Sequence, residues 1–276
     1  MDAVPVPSEK PVKPPVPDDI RRSRRPELFD DIRQRCVRWA HRIIDHGVVP
    51  GVRPSRGVVI CGFPRSGTTL LHLMLQTGYP GSKHFGRERS GLFLARHVWP
   101  GRHSLLISKR PNDVFWIDEI RSEYRYRAAR PCFIVTTRDP RSVLTSKHKA
   151  QEGYYVSVER WHALLEHIRY VRTAPDVLAV DYGELVSNPK DVQRRLVAAI
   201  GEAPVVPLDS YSEGVPAGFK TTALNGVRPI DTASTHKWRE PEHAERIRAL
   251  LKVPGFTSVL IEEGYEPDDR WAAPYR

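Results

Sequence analysis

Two stretches of this chain gather residues that hold anions. The first is GFPRSGTT, Gly62 to Thr69. Glycines at GxxxxG spacing mark a loop whose backbone N–H groups wrap a cluster of anionic oxygens. A helix start behind such a loop adds free N–H groups and a favourable dipole. Ser66, Thr68 and Thr69 supply hydroxyl donors, and Arg65 supplies a planar cationic fork. Loops that hydrolyse nucleoside triphosphates place a lysine after the second glycine, where it spans the β- and γ-phosphates. Here that position is Thr68. The cradle is present without that lysine, which argues against a P-loop small-molecule kinase.

The second stretch is RDPRSVLTS, Arg138 to Ser146, directly after the apolar run CFIVTT. Asp139 is a good N-cap and Pro140 a good first helical residue. A helix over about 140–149 would put Arg138 at the strand end and Ser146 two turns in. That pair can clamp one phosphate between a guanidinium and a hydroxyl. Read alone, the stretch is equally a capped helix with an incidental arginine.

The elements that must carry these groups follow from periodicity. GVVICG (57–62) is a short β-branched run, and Leu70, Leu71, Met74 and Leu75 share one face of a helix over about 67–78. Further strands are expected at 104–108, 131–136 and 177–180. Helices are expected at about 88–97, 113–127, 140–149, 157–172 and 188–200, and an earlier one from Glu27 to His46 on the spacing of Leu28, Ile32, Cys36, Trp39 and Ile43. Short apolar strands alternating with helices predict an α/β fold of three layers, a mostly parallel sheet flanked by helices. Residues 1–26 are rich in proline and charge and read as a disordered arm, leaving 27–276 as one domain. The stretch 202–236 reads as irregular, with a mobile flap as one outcome.

GFPRSGTT resembles the 5′-phosphosulfate loop of sulfotransferases that use 3′-phosphoadenosine 5′-phosphosulfate (PAPS), and RDPRSVLTS resembles their 3′-phosphate motif. The PRSGTT form is closer to the tyrosylprotein and carbohydrate branches than to the cytosolic aryl branch. The resemblance spans about residues 57–265 and implies a P-loop-type fold and sulfuryl transfer from PAPS, with PAP as product. It implies that Arg65, Ser66, Gly67, Thr68 and Thr69 hold the phosphosulfate and that Arg138 and Ser146 hold the 3′-phosphate. VDYGELVSNP (180–189) is similar to a family segment that brings a tyrosine near the adenosine, here Tyr182, although Gly183 stands where an acidic residue is common. HKWRE (236–240) is similar to a late family element and implies that Lys237 approaches the nucleotide; without the earlier motifs it is ordinary surface packing.

Transfer needs an acceptor held in line and a group to take its proton. The resemblance implies Glu88 in KHFGRERSG as that base; on spacing alone, Glu88 is equally a carboxylate at a helix start. His84 is the alternative. SKRPN (108–112) carries no histidine, unlike the aryl branch, but supplies Lys109. With Arg65, Lys109 is the expected stabiliser of developing charge. No metal-ligand spacing is evident. Tyr154, Tyr155, Trp161 and His162 either line an acceptor wall or form the inner face of the 157–172 helix.

A net charge of +10 points to anionic partners, and no nucleic-acid fold motif is present. The resemblance implies, by analogy, a small molecule, carbohydrate, lipid or secondary metabolite as acceptor. A non-catalytic nucleotide- or polyanion-binding protein is the remaining alternative. Cys36, Cys61 and Cys132 are odd in number and widely spaced, so no disulfide framework is expected. No signal-like or membrane-spanning run of about 18 apolar residues occurs, and a reducing, cytoplasmic setting is expected.

Overall fold

A computed structural model describes residues 12–22, 30–45, 56–85, 88–97, 103–125, 129–148, 151–215, 226–227 and 229–276. In chain order the described helices and strands are α1 (Asp18–Arg22), α2 (Asp30–Asp45), β1 (Arg56–Gly62), α3 (Thr68–Gly78), α4 (Gly91–Ala95), β2 (Leu105–Lys109), α5 (Ile117–Tyr124), β3 (Arg130–Thr137) and α6 (Pro140–Leu144). Then follow β4 (Lys147–His148), β5 (Gln151–Tyr154), α7 (Val158–Val171), β6 (Val177–Asp181), α8 (Tyr182–Ser187), α9 (Pro189–Ile200), α10 (Ala244–Leu251) and α11 (Phe256–Glu262). Short 3₁₀ turns fill several joints, among them Pro111–Trp116, Leu208–Glu213, Ala233–Thr235 and Lys237–Arg239.

The four expected strands form one parallel sheet in the order β2-β1-β3-β6. Side chains alternate across it, as a pleated strand requires. Val58 and Ile60 pack with α3, α8 and α9 on one face. Val59 and Cys61 join Phe133, Val135, Trp161 and Phe256 in a second apolar cluster on the other. Both faces of the sheet are therefore covered, which is why its strands read as continuous apolar runs. The register aligns Ile60 with Lys109, Gly62 with Thr136, and Thr137 with Asp181. All four strands thus end at one edge, where open α/β sheets bind ligands.

Three expectations are corrected. The helix after Arg138 runs only from Pro140 to Leu144; the chain then turns into the antiparallel pair β4–β5, so Ser146 lies just past the helix. The 1–26 arm is not wholly extended from the body: Ile20 on α1 is buried in the second cluster, and Lys13 reaches Asp118 and Glu119 at 3.1 and 3.2 Å. A buried apolar side chain and the ion pairs of Lys13 dock a segment whose average composition is unfavourable for order. The stretch 202–236 is irregular, but its first part is not a flap. Leu208 and Tyr211 are buried beneath α3 and α9, the Val205 N–H donates to the Gly78 carbonyl at 2.8 Å, and Gln193 accepts from the Leu208 N–H. Residues 216–225 and 228 lie outside the described residues.

The helix expected from Glu27 to His46 exists as α2, over Asp30–Asp45. Cys36 and Trp39 are exposed, while His41 is buried with Nε2 donating to the His97 carbonyl. Leu28 lies outside the described residues. No described helix is long and apolar enough to cross a membrane.

Candidate active site

The loop between β1 and α3 is fixed by contacts that only small residues allow. A Cβ on Gly62 (φ 126°) would lie 2.2 Å from the Thr136 carbonyl oxygen. A Cβ on Gly67 (φ 83°) would lie 2.5 Å from the Tyr182 ring. Arg65 itself adopts φ 67°, the left-handed region that side chains disfavour. Ser66 is fully buried, with Oγ 2.6 Å from the Phe63 carbonyl and 2.5 Å from Thr136 Oγ1. Its hydroxyl laces the loop to β3 and does not line the cleft, so Ser66 is not brought to the position expected of a ligand donor. Pro64, Arg65, Gly67, Thr68 and Thr69 do line it.

The cleft has a volume of about 520 Å³. Beyond the loop, its wall holds Glu88, Lys109, Arg138, Ser146, Tyr182 and Lys237. Ten of the eleven singled-out residues thus face one space, all but Ser66. The two motifs also touch: Arg138 Nη1 donates to the Arg65 carbonyl at 2.8 Å.

At one end, Lys109 Nζ donates to Glu88 Oε1 at 2.8 Å and to Thr69 Oγ1 at 3.3 Å. Lys109 is buried at the end of β2 and Glu88 is about half exposed. Glu88 stands outside the helix. α4 begins at Gly91 with Ser90 as its N-cap, so Glu88 points to a lysine instead of complementing a helix start. The segment is pinned from below. Asp113 is fully buried; it accepts from Ser90 Oγ at 2.9 Å and from the Gly91 N–H at 2.7 Å, and the Arg89 N–H donates to the Lys109 carbonyl. Burial pushes the Asp113 carboxyl up to about 6, against the pull of those two hydrogen bonds and of Arg110. His84, the alternative base, does not line the cleft; burial pulls it down to about 4.

At the other end, Arg138 Nη2 donates to the Ser234 carbonyl at 2.5 Å, and its guanidinium lies 4.3 Å from the Tyr182 ring centre. Burial pulls its pKa down. Tyr182 Oη and Ser234 Oγ are 2.5 Å apart. Ser146 Oγ donates to the Ser142 carbonyl, and Ser142 Oγ donates to the Thr235 carbonyl at 3.1 Å. Val186, Tyr211, Pro229 and Ile230 add an apolar wall. That wall was missed in the sequence because its members come from three distant segments. Asp113 and Ser234 were also missed; Ser90, a recognisable N-cap residue, was the only local signal for the former.

The aromatic cluster after Ser146 divides. Trp161 is wholly buried, on the inner face of α7, whereas Tyr155 is exposed at the cleft. Glu240, Glu242 and His243 bring ligand atoms within 4.8 Å of one another at the rim.

The model of the Sulfotransferase family matches residues 84–204, a span that holds Glu88, Lys109, Arg138, Ser146 and Tyr182. Among solved structures the chain resembles a sulfotransferase domain from the olefin synthase of Synechococcus PCC 7002, with a TM-score of 0.50 and 19% identity over 70% of this chain and 90% of that one. A sulfotransferase domain from the curacin biosynthetic pathway matches with a TM-score of 0.48 and 16% identity, over 68% and 91% of the two chains. The first likeness is one of fold. Comparison with curated protein sequences gives no match.

Proposed function

We propose, from the match of residues 84–204 to the Sulfotransferase family model and the geometry of the cleft, that this chain is a sulfotransferase whose cleft binds PAPS along its length and passes the sulfuryl group to an acceptor hydroxyl or amine beside Glu88. The observation that carries this reading is the single cleft: the Gly62–Thr69 loop and the Arg138/Ser146 motif both line it, as one nucleotide phosphorylated at two ends requires.

The phosphosulfate sits against the backbone N–H groups of Gly67–Thr69 and the Arg65 side chain. The apolar wall of Val186, Tyr211 and Ile230 takes the adenine beside Tyr182, and Arg138, Ser146 and Lys237 meet the 3′-phosphate. The acceptor oxygen attacks sulfur in line; its bond to sulfur forms as the bond from sulfur to the phosphate oxygen breaks. The acceptor proton goes to Glu88, and PAP leaves with the bonding pair. Lys109 and Arg65 oppose the negative charge that builds on the bridging oxygen. Fixed cations do this work, so the reaction requires no metal ion. The acceptor is a small molecule, carbohydrate, lipid or secondary metabolite. Cys61 and Cys132 are buried free thiols, in keeping with a cytoplasmic protein.

Thermal unfolding tests the reading. PAP raises the midpoint in the presence of a chelator, while ATP with magnesium and a short oligonucleotide do not. Equal stabilisation by all three polyanions would instead mark a general anion-binding surface.

A further inference from the structure

Arg141 does not line the cleft, yet it joins three parts of the chain that surround the 3′-phosphate end. It is only 2% exposed. Nε and Nη2 reach the Asp139 carboxylate at 3.0 and 2.7 Å, and Nη1 reaches Glu266 at 2.5 Å. Its guanidinium lies 3.8 Å from the Trp238 ring centre and 4.5 Å from that of Trp271. The two indoles meet edge to face with centroids 5.9 Å apart, and Tyr275 packs on both.

We infer that Arg141, with the C-terminal segment from Glu266 to Tyr275, is a positioning device for the 3′-phosphate clamp. The inference rests on the nucleotide reading above. Two of the residues gripped by Arg141 are chain neighbours of a cation in the cleft wall: Asp139 adjoins Arg138, and Trp238 adjoins Lys237. The Arg141 carbonyl also accepts from Thr145 Oγ1 at 2.7 Å, one residue before Ser146. Three candidate phosphate ligands from two distant segments are therefore registered against one buried, planar cation. A planar fork can bond two carboxylates and lie against two aromatic rings at once, which an ammonium cannot. The guanidinium also offsets Asp139 and Glu266, two carboxylates that would otherwise oppose a phosphate nearby. The C-terminal segment, beyond the stretch that resembles the family, thus belongs to the nucleotide site.

The test is the ratio of affinities for PAP and for adenosine 5′-monophosphate, which lacks the 3′-phosphate. Arg141→Lys is expected to weaken PAP about tenfold while the monophosphate changes by less than about twofold. KM for PAPS rises and kcat at saturation holds. Trp271→Ala, which removes one of the two indoles beside the guanidinium, shifts the ratio in the same direction. An equal loss for both nucleotides, or an unchanged ratio, overturns the inference. Should Arg141→Lys not fold, Glu266→Gln leaves the indole stack intact and carries the same ratio test. Arg138→Ala separates the two levels. If it also keeps the ratio, the nucleotide reading itself fails; if it collapses the ratio and Arg141→Lys does not, only the positioning role is lost.

Discussion

Two candidate groups at one end of the cleft, Gly62 and Lys109, are themselves strand residues, whereas those at the other end stand past strand ends or on short turns. Gly62 and Lys109 belong to β1 and β2, whose hydrogen-bonded register holds them in place, and Glu88 is tied to that edge through Lys109 and Asp113. Arg138, Ser146, Tyr182 and Lys237 stand just past strand ends or on short turns. They are held by side-chain bonds to Ser234, Thr235 and Arg141's neighbours. Backbone pairing is cooperative and hard to displace, while a mesh of side chains can be loosened one contact at a time. On the proposed reading this is a division of labour: the sheet edge governs the rate of transfer, and the turn-borne end governs which nucleotide is held.

The comparison breaks most clearly at Glu88. Glu88→Gln keeps the shape and removes the proposed proton acceptor, so turnover should fall by about 10²–10⁴-fold, while PAP binding by calorimetry stays unchanged. Near-normal turnover would transfer the role elsewhere and dissolve the contrast. The opposite end is probed by Arg138→Ala, which should lower PAP affinity by about 10–100-fold and leave kcat at saturating PAPS nearly intact. A large fall in kcat there would mean that the two ends are not separable.

The smallest effect sharpens the picture at Asp113. Its folded carboxyl is pushed up to about 6 by burial, from 3.8, with Arg110 and Glu88 as the charged groups that act on it. Between these values the folded protein holds the proton more tightly than the unfolded chain. The contribution of Asp113 to stability therefore falls as pH rises through that window. Asp113→Asn removes this dependence. The variant should gain on the wild type by up to about 3 kcal/mol between pH 4 and pH 6 in denaturant unfolding, with no further change above. Its turnover should drop, because a neutral amide cannot accept from both Ser90 and Gly91 as a carboxylate does. A wild-type carboxylate that weakens the fold at neutral pH and yet pins the Glu88 segment is what a rate-controlling edge calls for.

The sequence disclosed most where the chemistry is local. All four sheet strands lie within a residue of where apolar runs place them, and α3, α7 and α9 match their periodicity, because burial on both sides of a sheet leaves a dense signal. The glycine loop was legible for the same reason, since its conformation is written in adjacent residues. What failed depends on partners far along the chain. Ser66 looked like a ligand donor, but Thr136, seventy residues on, takes its hydroxyl. The helix after Pro140 was overrun because β5 pairs with β4 and pulls Lys147 into a hairpin. For Trp161 the sequence leaves core and wall both open, and its complete burial in the apolar cluster, with Phe256 against it, decides for the core. The buried guanidinium of Arg141 has no local signature at all.

One detail of the phosphate loop bears on how this protein can change. Arg65 is the only non-glycine among the described residues with a positive φ, a conformation that disfavours any side chain by about 1–2 kcal/mol. Glycine at that site would relax the backbone and make a sturdier fold, but it would strip the cation from the cleft. With Arg65 in its proposed role, selection for thermal robustness and selection for turnover pull on this codon in opposite directions, so a search for hardier variants should drift toward an inert one.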